Sequence, residues 1–296
     1  MQLEALNQQH AIENRISFRT HQHMIVAELV SDHSTALVSL YGAQVLSFIP
    51  KGQKDLLFVS QESLYQEGKA IRGGIPICWP WFGGHPTDSN KPSHGFARLS
   101  HWQVRLTKIE KGNTVLQLGL CDSGKSRNLW PFSFEAMVTI TVGKSLRVDL
   151  TTRNTGDQSF TLTEALHTYF NVGRSEQISI EGLKNTPFMD DVKGEEGRQE
   201  EPLLKLKGEV DRCYQDTTGV CIIDDPAFGR KIKVEKQGSK TTVVWNPGEI
   251  LVKQMKDLGD TEFSSMVCVE AANALNDQVN LEPWQSHTLI TQIGLV

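Results

Sequence analysis

Apolar and polar residues alternate in short runs through most of this chain, rich in β-branched side chains and broken by Gly, Asn, Asp and Pro. Period two over such runs predicts strands with one face on a core. The clearest are 133–142 (SFEAMVTITV) and 145–152 (SLRVDLTT), flanking Gly143-Lys144, a spacing suited to a tight two-residue hairpin. The run 159–170 (SFTLTEALHTYF) follows a turn-rich connection, Arg153-Asn154-Thr155-Gly156-Asp157, and is expected to add a third strand to a meander. Further strands are predicted over 24–30, 35–41, 101–107, 114–120, 230–235, 241–245, 266–270 and 286–292. Helical periodicity is confined to 61–67, 123–129 and 255–258. So many strands with so little helix imply an all-β protein, a large antiparallel sandwich with few short helices, filling 1–296 as one domain. No internal repeat or linker breaks the pattern, and 193–201 (KGEEGRQEE) reads as a solvated loop.

Composition adds limits. With 39% hydrophobic and 22% charged residues the chain matches ordinary globular proteins and can fill a sizeable core. A formal net charge of -5 gives no global field that recruits nucleic acid or an anionic membrane, so an anionic ligand must be held by local cations. Five cysteines without a CxxC pair argue against a disulfide framework or structural zinc, and for a reducing, cytoplasmic setting. The start, Met1-Gln2-Leu3-Glu4-Ala5, lacks a secretory pattern, and no run reaches the roughly eighteen apolar residues of a membrane span. His21-Gln22-His23 is the one close histidine pair and lacks a third ligand, so no metal or other cofactor is expected.

Four segments concentrate chemistry. In 71–83 (IRGGIPICWPWFG), Arg72 precedes a Gly-Gly pair, two prolines and two tryptophans, a composition unsuited to an ordinary paired strand. It reads as a rigid loop wall, with Trp79 and Trp81 either facing a ligand or filling the core. In 92–98 (PSHGFAR), an extended chain would turn His94, Phe96 and Arg98 to one face. Two arginines on glycine-flanked loops suit a phosphate, because guanidinium forks bind its oxygens bidentately and keep their charge. His167 interrupts the apolar pattern of 165–171 (ALHTYFN), and Glu270 closes the apolar run 266–270 (MVCVE). Each has an ordinary reading alone: a hydrogen-bonded core histidine, a carboxylate solvated at a strand end, a surface salt bridge for Arg98. Asp211, in VDRCY, alone reads as a turn aspartate beside Arg212.

In order and combination these segments resemble the aldose 1-epimerase superfamily, and within it the hexose-6-phosphate mutarotase branch. The matching stretches are IRGG at 71–74, PICWPWFG at 76–83, SHGFAR at 93–98, ALHTYFNV at 165–172, VDR at 210–212, WNPG at 245–248 and VCVE at 267–270. They span roughly residues 70–270. Cys213 stands where the branch is often apolar, and Ile71 replaces a more usual leucine. The resemblance implies a β-supersandwich of the galactose-mutarotase kind with a sugar cleft on one sheet face. It further implies that His167 and Glu270 are the acid-base pair and that Asp211 hydrogen-bonds the sugar. Arg72 and Arg98 would bind a phosphate, with Ser93 and His94 adjoining it. The implied activity is anomer interconversion of a hexose 6-phosphate, glucose 6-phosphate being the expected substrate, with Glu270 as base and a protonated His167 as acid.

Histidine suits the acid role because its unperturbed pKa lies near 6.5 and a nearby carboxylate favours its charged form. Two other functions remain open. One is a mutarotase for an unphosphorylated aldose, in which Arg72 and Arg98 make other contacts. The other is a non-catalytic carbohydrate-binding protein, against which the joint presence of His167 and Glu270 speaks. The sequence leaves the oligomeric state undetermined.

Overall fold

A computed structural model describes residues 3–296. Strands far outweigh helices and pair antiparallel within each sheet, as the alternation predicts. A nine-stranded sheet has at its centre Arg230–Gln237, Ser286–Leu295, Leu146–Asn154 and Phe134–Val142. Its strands bury every second residue: Phe134, Ala136, Val138, Ile140 and Val142 point into the core and the residues between them do not. An eight-stranded sheet lies across that core, ordered Glu195–Arg198, Pro187–Asp190, Val210–Tyr214, Thr241–Asn246, Met266–Asn273, Glu164–Leu166 and Ile77–Cys78, with Tyr169–Asn171 also paired to Met266–Asn273. Apolar side chains from both sheets form one contiguous cluster, each contributing about 1.5–3 kcal/mol when fully buried. A four-stranded sheet runs from Ile16–His21 through Met24–Val30 and Ser34–Ser39 to Gln44–Pro50.

The strand Met266–Asn273 differs from the alternating ones, because all eight residues are buried. Val267, Val269 and Ala271 join the inter-sheet core, whereas Met266, Cys268 and Ala272 join smaller clusters on the other face. This strand is therefore covered on both sides, the situation in which alternation disappears from a sequence.

Several sequence expectations are corrected. The run 159–170 is not a third meander strand, because Ser286–Leu295 already occupies the free edge of Leu146–Asn154. It breaks instead into Phe160–Leu162, paired with Val279–Leu281, and Glu164–Leu166 and Tyr169–Asn171, both paired with Met266–Asn273. The hairpin after Val142 has three loop residues, Gly143, Lys144 and Ser145, closed by the Gly143 amide donating to the Ser145 carbonyl at 3.0 Å. Within 193–201, Glu195–Arg198 is exposed yet pairs with Pro187–Asp190. The helix Gly124–Leu129 forms as expected, capped by Ser123, whose side chain accepts from the Ser126 amide. Segments 61–67 and 255–258 are not helical: short helical turns flank the second at Gly248–Leu251, Val252–Gln254 and Glu262–Ser265, and a further helix covers Leu3–His10.

Candidate active site

Sheet parity builds the site. Along Met266–Asn273 the even residues Cys268, Glu270 and Ala272 share the face turned away from the main core. The neighbouring strand sets Val243 against Glu270 and Trp245 against Cys268, and the next sets Cys213 against Val243 and Asp211 against Trp245. Asp211 thus lies on the Glu270 face, two strands away, in the strand Val210–Tyr214 and not in a turn. On the other side, Leu166 pairs with Ala271 and Tyr169 with Cys268, which leaves His167 in the short gap between two strands, opposite Glu270. Glu270 does not end its strand; it is 1% exposed at mid-strand.

His167 Nδ1 lies 3.2 Å from Glu270 Oε1. The two groups are not aligned as a hydrogen bond, and neither His167 Nδ1 nor Glu270 Oε2 has a hydrogen-bond partner among the described residues. The ring is held by packing: Tyr169 stacks on it at 4.8 Å with planes 10° apart, and Trp245 and His94 present edges at 6.0 and 5.8 Å. Its backbone amide donates to the Pro76 carbonyl at 3.0 Å, fixing the gap to the 72–83 wall.

That wall is zipped to 92–98. The Phe96 amide donates to the Trp79 carbonyl at 3.0 Å and the His94 amide to the Gly83 carbonyl at 2.6 Å. Gly95 is required between them, because with φ at +73° a Cβ would lie 1.9 Å from the Trp79 carbonyl oxygen. His94 is also left-handed, at φ 59°, and Ala97–Leu99 forms a 3-10 turn. The segment is therefore not extended, and His94, Phe96 and Arg98 do not share a face: Phe96 packs into the core against Trp79. Trp79 and Trp81 are core residues, with indole N–H groups donating to Thr152 Oγ1 and to the Pro92 carbonyl, both at 2.9 Å. The Gly83 amide donates to His94 Nδ1 at 3.2 Å, which leaves the proton of the neutral ring on Nε2.

The arginines differ. Arg72 is engaged: Nη2 donates to both oxygens of Asp257 at 3.0 and 3.2 Å, and Nη1 donates to the Tyr169 hydroxyl at 3.0 Å. Arg98 donates to the Ser93 carbonyl at 2.8 Å, and no carboxylate among the described residues is within ion-pair distance of it. Ser93 itself is exposed at the rim, its hydroxyl donating to the Gly83 carbonyl at 3.2 Å. The sequence reading missed Tyr169, Trp245, Cys268 and Asp257. Same-face spacing from His167 and Glu270 would have found Tyr169 and Cys268; nothing local marks Asp257.

Burial governs the titrations. Glu270 is pushed well above the usual carboxyl range by desolvation, reinforced by Asp211 and opposed by Arg98. His167 is pushed well below 6.5 by desolvation, then by His94, Arg98 and Arg72. Burial thus disfavours both charged forms, the protonated His167 and the ionised Glu270, since two buried neutral groups cost less than two buried charges. His94 falls to about 3, through burial and then the two arginines. Asp211 rises to about 7, through burial and then Asp191, Glu209 and Asp190.

A paired acid and base on a covered sheet face, ringed by aromatic and cationic side chains, define a class that moves protons on a small polar substrate. The comparisons say which. Residues 26–294 match the aldose 1-epimerase family, to which this chain belongs. A protein of Escherichia coli K12, provisionally named a glucose-6-phosphate 1-epimerase, is 35% identical over 253 residues, 84% of each chain. One from Cenchrus ciliaris with the same provisional name is 34% identical over 87% of this chain and 81% of its own. The crystal structure of a provisionally named mutarotase from Salmonella typhimurium superposes with a TM-score of 0.90 at 29% identity, covering 97% and 95%. A galactose mutarotase-like protein of Clostridium acetobutylicum shares the fold at 15% identity, with a TM-score of 0.75 over 95% and 98%. The protein is an enzyme of the epimerase type with a sugar substrate, and the expected all-β supersandwich is the one observed. No helix among the described residues is long and apolar enough to cross a membrane.

Proposed function

We propose that the protein interconverts the α and β anomers of a hexose 6-phosphate, with His167 and Glu270 as the proton-transferring pair of one mutarotase domain. The observation that carries this is the buried, 3.2 Å approach of two groups with unsatisfied polar atoms on one covered sheet face. In the reaction Glu270 takes the proton from the C1 hydroxyl, His167 gives one to the ring oxygen, and the C1–O5 bond breaks to the open aldehyde. Rotation about C1–C2 and reversal of both transfers close the other anomer. Protons balance, because the pair holds one throughout.

A phosphate supplies the missing step. Arg98 and Arg72 contribute to keeping His167 neutral, so a dianion placed against Arg98 offsets that field and favours transfer of the carboxyl proton to the imidazole. Arg98, lacking a carboxylate partner, is the phosphate-binding cation, with Arg72 behind it and Ser93 and His94 at its edge. Asp211 accepts from a sugar hydroxyl. A reducing, cytoplasmic setting suits the five free cysteines, four of them buried. Neither a nucleic acid nor a membrane is a partner of this acidic chain.

The deciding assay follows anomer exchange polarimetrically with glucose and glucose 6-phosphate side by side. A strong preference for the phosphorylated sugar is expected; equal rates would favour the unphosphorylated-aldose reading, and no exchange with either would favour simple carbohydrate binding.

A further inference from the structure

We propose that this sheet face is also a binding site for a soft divalent metal ion, zinc above all, held by His167, Cys268 and Glu270, and that the bound ion blocks the sugar chemistry. One ring nitrogen of His167, the Cys268 sulfur and a Glu270 carboxylate oxygen lie within 4.8 Å of one another. Cys268 and Glu270 occupy positions i and i+2 of one strand, so both side chains leave the same face of the sheet. All three residues are buried, at 8%, 0% and 1% exposure, and His167 Nδ1 and Glu270 Oε2 are without hydrogen-bond partners. Lone pairs left unmatched in a buried place are what a cation would satisfy.

The donor set selects the ion. A thiolate is soft and an imidazole intermediate, a combination that suits zinc and disfavours magnesium or calcium. Three protein ligands plus one water complete a tetrahedron. On binding, the Cys268 thiol and the Glu270 carboxyl each give a proton to solvent as the metal–sulfur and metal–oxygen bonds form. The imidazole and the carboxylate then donate their lone pairs to the metal, so the acid and the base are withdrawn together. The blocking effect rests on the mutarotase reading; the binding does not.

The test uses the full chain carrying Cys121→Ser, because Cys121 is the exposed thiol. Titration with cobalt(II) is expected to give a near-ultraviolet thiolate-to-metal charge-transfer band saturating at one equivalent, removed by added zinc. Cys268→Ala should abolish the band. Should that variant not fold, Cys268→Ser serves the same purpose, and Glu270→Gln should keep the band but weaken binding by about 100-fold. No band in the Cys121→Ser protein, or a band that survives loss of the Cys268 sulfur, overturns the site. In the second arm, zinc should inhibit anomer exchange and a chelator should restore it; binding without inhibition overturns the block. Failure of the mutarotase reading would remove only this second arm and leave the cobalt spectrum intact.

Discussion

Among the described residues a histidine meets a fully buried glutamate twice, with the two glutamates on neighbouring strands, and the pairs teach what a site requires. His167 Nδ1 lies 3.2 Å from Glu270, and His287 Nε2 lies 3.4 Å from Glu164. Glu164 is as buried as Glu270, and both its carboxyl oxygens lack hydrogen-bond partners. The faces differ. Glu164 pairs with Asn273, on the parity that points between the sheets, and meets His287 of the nine-stranded sheet. There burial alone raises the carboxyl, to about 8, and His287 Nε2 also lies 3.2 Å from the side-chain oxygen Oδ1 of Asn273. On the opposite face Glu270 feels Asp211 and Arg98, and His167 feels His94, Arg98 and Arg72. A buried carboxyl beside an imidazole is therefore not enough. One such pair has cations and a further carboxyl on its own face, as the proposed function requires, while the other lies between the sheets.

The sharpest way to break this contrast is to remove one carboxyl at a time. Glu270→Gln, like His167→Ala, should lower kcat for anomer exchange by roughly 10² to 10⁴-fold, with binding of the sugar phosphate still measurable calorimetrically. Glu164→Gln should leave exchange near the wild-type rate; an equal loss there would erase the distinction between the two pairs. Next in size, Arg98→Ala should raise KM for the phosphorylated sugar by about 10 to 100-fold and change kcat much less, the pattern of a lost charged contact. Its KM for an unphosphorylated sugar should not move.

Asp211→Asn should have a smaller effect, on the order of fivefold in KM, from one hydrogen bond. With its carboxyl raised to about 7, wild-type KM should fall as pH climbs through that value and Asp211 becomes a charged acceptor. The Asn variant should lose this inflection. The least effect concerns stability. Glu164 binds a proton in the folded state up to about pH 8 but in the unfolded chain only up to about its ordinary 4.5. Between those values the folded state holds more protons, so stability falls as pH rises. Glu164→Gln should flatten that decline in a series of thermal melts, and an unchanged slope would show that Glu164 does not cause it.

Legibility in the sequence followed exposure. The alternating strands Phe134–Val142 and Leu146–Asn154 could be read almost to the residue, because one face meets side chains and the other half meets water. Glu164–Leu166 and Tyr169–Asn171 were fused into one expected strand, since a chain buried on both faces shows no period and hides its breaks. The candidate residues were legible from motif, but not their states. His167 reads from the sequence as a charged acid beside an anion, whereas burial, a property of the folded whole, disfavours that charge. Asp257 was invisible, because its partner Arg72 is 185 positions away.

The sequence by itself determined the all-β class, the family and the identities of the chemically able side chains, because these depend on short-range periodicity and on motifs that survive as strings of letters. Only the tertiary structure decided which of two glutamates lies on the face away from the main core, which arginine lacks a carboxylate partner, which charged forms burial disfavours and that the tryptophans are core. Those outcomes turn on sheet parity, on desolvation and on distances across the chain, none of which exists until the sheets have packed.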